Sequence, residues 1–333
     1  MKQRNMRWTA ASVLAMALVL AGCGGEPTGA AVGETGGSAE DSITIGFSQV
    51  TMESPFYVAL VEAAQAEAEK AGVELITIDA QNDMQKQNQD VQDLVTKGID
   101  VLILNPTNPT AVAPALALTK QNDIPVVTVD RPTEEKVASF VGRDNMEMGR
   151  IAGRKAVELL GGEGKAQGKI IELQGDAGGK VMMDRHGGFH EIVSKEPGIE
   201  VVEGPYSNYV RAEAVKAFQD LLQAHPDVNL VYAHNDDMAM GAVQVLEQAN
   251  MADQVKVVGI DGLTEAVKAI AEGRYDATVL NDPAKLGKIV FETALKVAKG
   301  EEVPEYVDGG TGLIDASNAS QYVDDSAVFA PME

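Results

Sequence analysis

Carboxylates, carboxamides, guanidinium groups and aromatic rings recur in this sequence just after short apolar runs. The sharpest case is Ile124-Pro-Val-Val-Thr-Val-Asp130-Arg131-Pro132. In chain order the same placement gives Ser54-Pro-Phe56-Tyr57, Asn105, Asp130-Arg131, Asp184-Arg185, Tyr209, Asn235-Asp236, Asp261 and Asn281. A carboxylate only accepts hydrogen bonds, a guanidinium only donates, and a carboxamide does both, so the set can satisfy vicinal hydroxyl groups. Aromatic faces can cover the apolar C–H faces of a ring. The chemistry is that of gripping a small polyhydroxylated molecule, and the competing reading of Asp130-Arg131 alone is a surface ion pair at a strand exit. Five or six charge-assisted hydrogen bonds of roughly 1.5–3 kcal/mol each are enough for micromolar or tighter binding after desolvation costs.

Such residues act together only if the chain brings them to one edge. The Val-rich run before Asp130 suits a strand buried on both faces of a parallel sheet, and Pro132 stops its continuation. In open α/β sheets ligands bind outside the carboxyl ends of the strands, where Asp130 and Arg131 would sit. Earlier, residues 43–48 read as a strand, and Phe56, Leu60, Ala63, Ala64 and Ala68 recur at helical spacing until Gly72. Strand 73–78, helix 85–97, strand 101–104 and helix 111–122 follow, an alternation that demands a parallel sheet with right-handed crossovers.

After Val141-Gly-Arg-Asp-Asn145 the rhythm restarts. Helices are expected at 146–160, 183–194, 212–224 and 238–250, alternating with strands at 169–173, 200–204, 230–233 and 255–260. A strand at 276–280 and a helix at 286–299 remain, and the helix is assigned back to the first unit. The fold class is therefore α/β, with two doubly wound parallel-sheet lobes joined by a multi-strand hinge crossed near Arg143, Asn281 and Gly310. The expected N-terminal lobe is 43–143 plus 282–310, and the C-terminal lobe is 144–281 plus 311–333. Repeated crossings make a hinge that closes one lobe on the other with ligand between them.

The chain has 333 residues, 50 acidic against 27 basic, and a net charge of −23. Lys2, Arg4 and Arg7 precede an apolar run from Ala10 to Ala21 that is too short to span a bilayer, so residues 1–22 read as a secretory signal. Without them the charge is near −26, since they carry three bases and no acid. That surface repels nucleic acid, and no nucleic-acid partner is expected. Residues 24–41 are mostly Gly, Ala, Ser, Thr and Glu with one proline and almost no bulky apolar side chain, so 23–42 read as a flexible tether. Nothing beyond Cys23 approaches transmembrane length.

Leu20-Ala21-Gly22-Cys23 resembles the bacterial lipobox, which implies that Cys23 is lipidated and becomes the mature N-terminus. It is the sole cysteine, so no disulfide can form within the chain. One acyl chain binds a membrane only marginally, but the lipoprotein pattern implies several. From Ile43 to about Ala316 the chain resembles the ribose-binding branch of the sugar-binding type 1 periplasmic binding proteins. The motifs are Thr51-Met-Glu-Ser-Pro-Phe-Tyr, Leu104-Asn-Pro-Thr, Thr128-Val-Asp-Arg, Glu172-Leu-Gln-Gly, Ala233-His-Asn-Asp-Asp-Met-Ala-Met-Gly and Val258-Gly-Ile-Asp-Gly, in that order.

The resemblance implies the periplasmic binding protein type I fold and an extracytoplasmic, lipid-anchored monomer. Its role would be to capture a pentose or hexose for the permease and ATPase subunits of an ABC importer, with a chemoreceptor as an optional further partner and no cofactor. It also implies that Phe56 and Tyr57 stack on one sugar face and Tyr209 on the other. Asn105, Asp130, Arg131, Arg185, Asn235, Asp261 and Asn281 would bond the hydroxyls and ring oxygen. Four positions depart from the ribose pattern: Ser54 stands for an asparagine, Tyr209 and Ile260 for phenylalanines, and Asn281 for a glutamine. Ser54 and Asn281 are the shorter side chains, which leaves room for a larger ligand or bridging waters, and a polyol or an inositol is the alternative ligand. A LacI-type regulator shares the ligand-binding fold, but here a signal peptide and tether stand where its DNA-binding domain would be.

Other signals carry less. Gly175-Asp-Ala-Gly-Gly-Lys180-Val181 is one residue short of a phosphate loop and lacks its Ser or Thr. His186 and His190 have the spacing of a zinc pair without the HExxH glutamate, and solvated helix-start histidines are expected, with no metal. Asp236 and Asp237 are adjacent and cannot flank one glycosidic bond, so Asp236 is expected to cap a helix at Met238. With no nucleophile elbow either, no enzyme is expected. Met182, Met183, Met238 and Met240 are assigned to core gaps.

Overall fold

A computed structural model describes residues 43–332 of the chain, so the signal segment, Cys23 and the tether lie outside the described residues. The first half runs β1 (Thr44–Gln49), α1 (Pro55–Ala71), β2 (Glu74–Asp79), α2 (Met84–Thr96), β3 (Val101–Leu104), α3 (Ala113–Gln121), β4 (Val126–Val129) and β5 (Ser139–Gly142). The second begins with α4 (Asn145–Leu159), β6 (Gln167–Gln174), α5 (Lys180–Val193), β7 (Gly198–Tyr206), α6 (Arg211–Ala224) and β8 (Leu230–Ala233). It continues with α7 (Asp236–Gln248), β9 (Lys256–Asp261), α8 (Thr264–Ala271) and β10 (Ala277–Leu280). Then come α9 (Pro283–Ala298), β11 (Tyr306–Asp308) and β12 (Gly312–Asp315). Among the described residues no helix is long and apolar enough to cross a membrane.

These strands form two six-stranded sheets with the same winding, β2-β1-β3-β4-β5-β11 and β7-β6-β8-β9-β10-β12. Every pairing is parallel except β10 with β12. Strands β3, β4, β8 and β10 are buried along their whole length, as continuous apolar runs flanked by helices on both faces must be. The chain passes from the first sheet to the second after β5, returns after β10 through α9 to β11, and crosses again to β12. Helix α9 packs on α1 through Gly287, where a Cβ would lie 2.1 Å from the Leu60 carbonyl.

Four elements escape the periodicity reading: β5, α8, β11 and β12. The strands among them are three or four residues long, too short for a period to show, and α8 is barely two turns. The antiparallel β12 also departs from the all-parallel expectation: the third crossing returns the chain along the sheet edge, where an antiparallel strand needs no crossover helix. Asp236 does not cap α7. Asn235 does, its Oδ1 accepting the Met238 N–H at 3.0 Å, because Asn235 has the extended backbone of a cap and Asp236 is already in the helix. Met183 is half exposed rather than a core filler, whereas Met182, Met238 and Met240 are buried.

Candidate functional site: a closed polar cleft between two sheets

Both sheets present their carboxyl edges to one cavity of about 20 Å³. From the first sheet come Ser54, Phe56 and Tyr57 at the start of α1 and Asp130 after β4; from the second come Val181 and Arg185 on α5, Tyr209 after β7, Asn235 after β8, Asp261 ending β9 and Asn281 after β10. That volume is room for about one water, so the lobes are closed tightly on the cavity. Nine of the eleven residues expected from sequence line it. Asn105 and Arg131 do not. Asn105 is turned to Gln49, donating from Nδ2 to Oε1 at 2.7 Å, and Arg131 spans the cleft to reach Asp176 of the other sheet at 2.8 Å while donating to the Tyr57 hydroxyl at 2.8 Å.

Local backbone explains why these side chains converge. Asp130, Tyr209 and Asp261 have φ of 62°, 61° and 127°, a region costly for residues other than glycine. Such strain, of order 1–3 kcal/mol each, persists only where surroundings impose it and collects at functional sites. For Asp261 the surroundings are visible: the wholly buried Asp236 carboxylate accepts the backbone N–H groups of Gly262 and Leu263, the Thr278 hydroxyl and the Tyr275 phenol at 2.6–2.9 Å. This pins the turn that carries Asp261. Tyr209 has its own requirement, because a Cβ on Gly175 would lie 2.2 Å from its ring. Ser54 precedes α1 but makes no side-chain cap bond, leaving its hydroxyl to the cavity.

The charges are buried and balanced. Arg143, which follows β5, donates to Asp130 Oδ1 at 3.0 Å and lies 5.1 Å above the Phe56 ring. Arg185 donates from Nε to Asn145 Oδ1 at 3.0 Å, reaches the His234 carbonyl, and stands 3.7 Å from Asp261 and 5.9 Å over the Tyr209 ring. Phe56 meets Tyr57 and Phe329 edge-to-face at 5.6 and 5.9 Å. Burial pushes the Asp261 carboxyl up to about 7 against the pull of Arg185, and burial lowers the Arg143 guanidinium despite Asp130. The Tyr57 and Tyr209 phenols are raised, again chiefly by burial, so both stay neutral donors.

In and around the cleft, six buried polar atoms of the described residues have no hydrogen-bond partner in the protein: Arg131 Nε, Arg143 Nη2, Asp176 Oδ1, Tyr209 Oη, Asn105 Oδ1 and Asn281 Oδ1. Buried donors and acceptors are normally satisfied, and leaving one unmade costs about 1–3 kcal/mol. The mixture of donors and acceptors calls for a ligand whose groups do both, and hydroxyls do.

Sequence reasoning missed Arg143, Asp176 and Asn145. Arg143 follows a four-residue strand that the periodicity does not reveal, and Asp176 lies inside the glycine-rich turn weighed only as a phosphate loop. A strand exit carrying a charged residue, the signal that found Asp130, applies to both.

Comparison with known proteins gives a periplasmic binding protein domain over residues 45–302. The ribose import binding protein of Bacillus subtilis (strain 168) is 34% identical over 304 residues, covering 91% of this chain and 97% of that protein. That of Escherichia coli (strain K12) is 40% identical over 266 residues, covering 80% and 87%. Among solved structures, an ABC transporter solute-binding protein from Mycobacterium smegmatis with bound glycerol is 57% identical, covers 87% of this chain and 100% of its own, and superposes with a TM-score of 0.84.

Proposed function

The chain belongs to the periplasmic binding protein family, in its ribose-binding-like type 1 branch, and from that premise we propose that it captures a monosaccharide between its lobes and delivers it to an ABC importer. Its relatives are transport binding proteins and not enzymes. The observation that carries the reading is a cavity to which both sheets contribute polar and aromatic side chains, with Tyr209 Oη and Asn281 Oδ1 on it left without a hydrogen-bond partner. Phe56, Tyr57 and Tyr209 supply apolar faces; Asp130, Arg185, Asn235, Asp261 and Asn281 supply the hydrogen bonds, with Ser54 beside them. Asn105 and Arg131 act at the margin, Arg131 as a strap from one lobe to Asp176 on the other. The lobes are residues 43–143 with 282–310 and residues 144–281 with 311–333, hinged at the three crossings, and the closed form is what the permease and ATPase subunits read.

A polyol or an inositol is the second reading, favoured by the short Ser54 and Asn281 side chains and by the glycerol in the Mycobacterium smegmatis relative. A thermal-shift screen of monosaccharides, polyols and inositols on the mature protein tests both, because a ligand that binds only the folded state raises Tm. One compact polyhydroxylated ligand is expected to raise it, with the shift lost in Asp261→Ala; no response across the panel overturns the reading. The Cys23 anchor is part of the same proposal. Cys23→Ala should release the protein from membranes, and retention would defeat the anchor.

A further inference from the structure

Outside the cleft, three of the four histidines of the chain meet one acid. Glu172, on β6, is wholly buried. His190 Nε2 lies 2.8 Å from its Oε2, and His186 Nδ1 lies 3.1 and 3.2 Å from its two oxygens. His234 Nε2 lies 2.8 Å from Oε1. The sequence reading of His186 and His190 as solvated helix-start residues is thereby corrected. Helix α5 begins at Lys180, earlier than expected, so both lie well inside it and turn one face to the sheet. The carboxylate missing from the zinc pair is supplied by a strand.

We propose that Glu172, His186 and His190 form a site for one first-row divalent metal ion of the zinc class, with His234 as the residue that positions Glu172. Zinc bonds of about 2.0–2.2 Å in a tetrahedron put neighbouring ligand atoms roughly 3.3–3.5 Å apart. Here one candidate atom from each residue lies within 4.8 Å of the others, and the carboxylate–imidazole edges are 2.8–3.2 Å. Loading therefore asks the side chains to part by a few tenths of an ångström while the metal replaces the shared protons.

His234 cannot join as a ligand without losing its place. Its Nδ1 accepts the Gly175 N–H at 3.3 Å, so its proton is on Nε2 and is donated to Glu172, the orientation that outer partners of metal-binding carboxylates provide. His186 and His190 side chains are 31% and 28% exposed, which gives an entry path and room for a water as fourth ligand. Two imidazoles and one carboxylate suit zinc, cobalt, nickel or copper and not magnesium or calcium. None of the three lines the cleft, so this site and the ligand reading stand or fall separately.

The test uses untagged, metal-free mature protein titrated with Zn²⁺ by calorimetry and with Co²⁺ by visible absorption. Expected are one equivalent bound, a rise in Tm, and an intense ligand-field band of tetrahedral cobalt, with no response to Mg²⁺. His186→Gln and His190→Gln should each weaken Zn²⁺ binding at least roughly tenfold. His225→Gln, at the end of α6, should leave it unchanged and controls for adventitious imidazole binding. No saturable binding by the wild type overturns the site, as does binding that survives loss of both His186 and His190 or disappears with His225.

Discussion

Asp130 shows how one residue both lines the cavity and holds the fold. It lines the cavity with φ at 62° and holds Arg143, whose side chain is 1% exposed. Removing one partner of a buried pair strands the other charge and costs about 3–5 kcal/mol, whereas an exposed pair contributes under about 1. Asp130→Ala is therefore expected to lower unfolding free energy by about 3 kcal/mol or more in urea titrations, and a loss below about 1 kcal/mol would show that Arg143 does not depend on it. The place of Asp130 at a strand exit was legible because the β-branched run before it is unambiguous and proline follows. That of Asp236 was not: helix-start acids usually cap, and only the tertiary approach of Gly262, Tyr275 and Thr278 makes it a buried acceptor instead.

Helix α5 carries Arg185 to the cleft, and its position is set by α4. A Cβ on Gly188 would lie 2.0 Å from the Met146 carbonyl, and one on Gly149 would lie 2.3 Å from the Arg185 carbonyl, so the two backbones touch. Beside it, Gly187 has only the flexible end of Met146 at 3.4 Å. Alanine is the better helix former by about 1 kcal/mol, which decides the outcome at Gly187, while overpacking of about 1–3 kcal/mol decides it at Gly188. Gly187→Ala is expected to raise Tm slightly and Gly188→Ala to lower it and weaken ligand binding through Arg185. Equal effects in melting curves would contradict this packing. Most strands and helices were legible from period and caps, because long apolar faces must be buried. The unread strands, β5, β11 and β12, owe their existence to neighbours in the sheet, which no local pattern encodes.

At the scale of the whole molecule, two sheets of identical strand order face each other across a gap spanned by Arg131 and Asp176. Closing this gap empty has a pH signature. Burial raises Asp261 to about 7, while a solvated carboxyl in an open cleft titrates near 4. Between those values the closed form holds the extra proton, so closure without ligand is favoured as pH falls through 7 and disfavoured above it. Empty protein should be more compact at pH 5 than at pH 8, and equal compactness would contradict the shift. The paired lobes were legible from the repeated βα rhythm. The strap between them was not, since nothing local sets Arg131 opposite Asp176. The central claim is that a polyhydroxylated ligand draws the lobes together by satisfying their buried polar atoms. Small-angle X-ray scattering at pH 8, with and without a saturating ligand, tests it most directly: a smaller radius of gyration with ligand is predicted, and an unchanged one at confirmed saturation would contradict it.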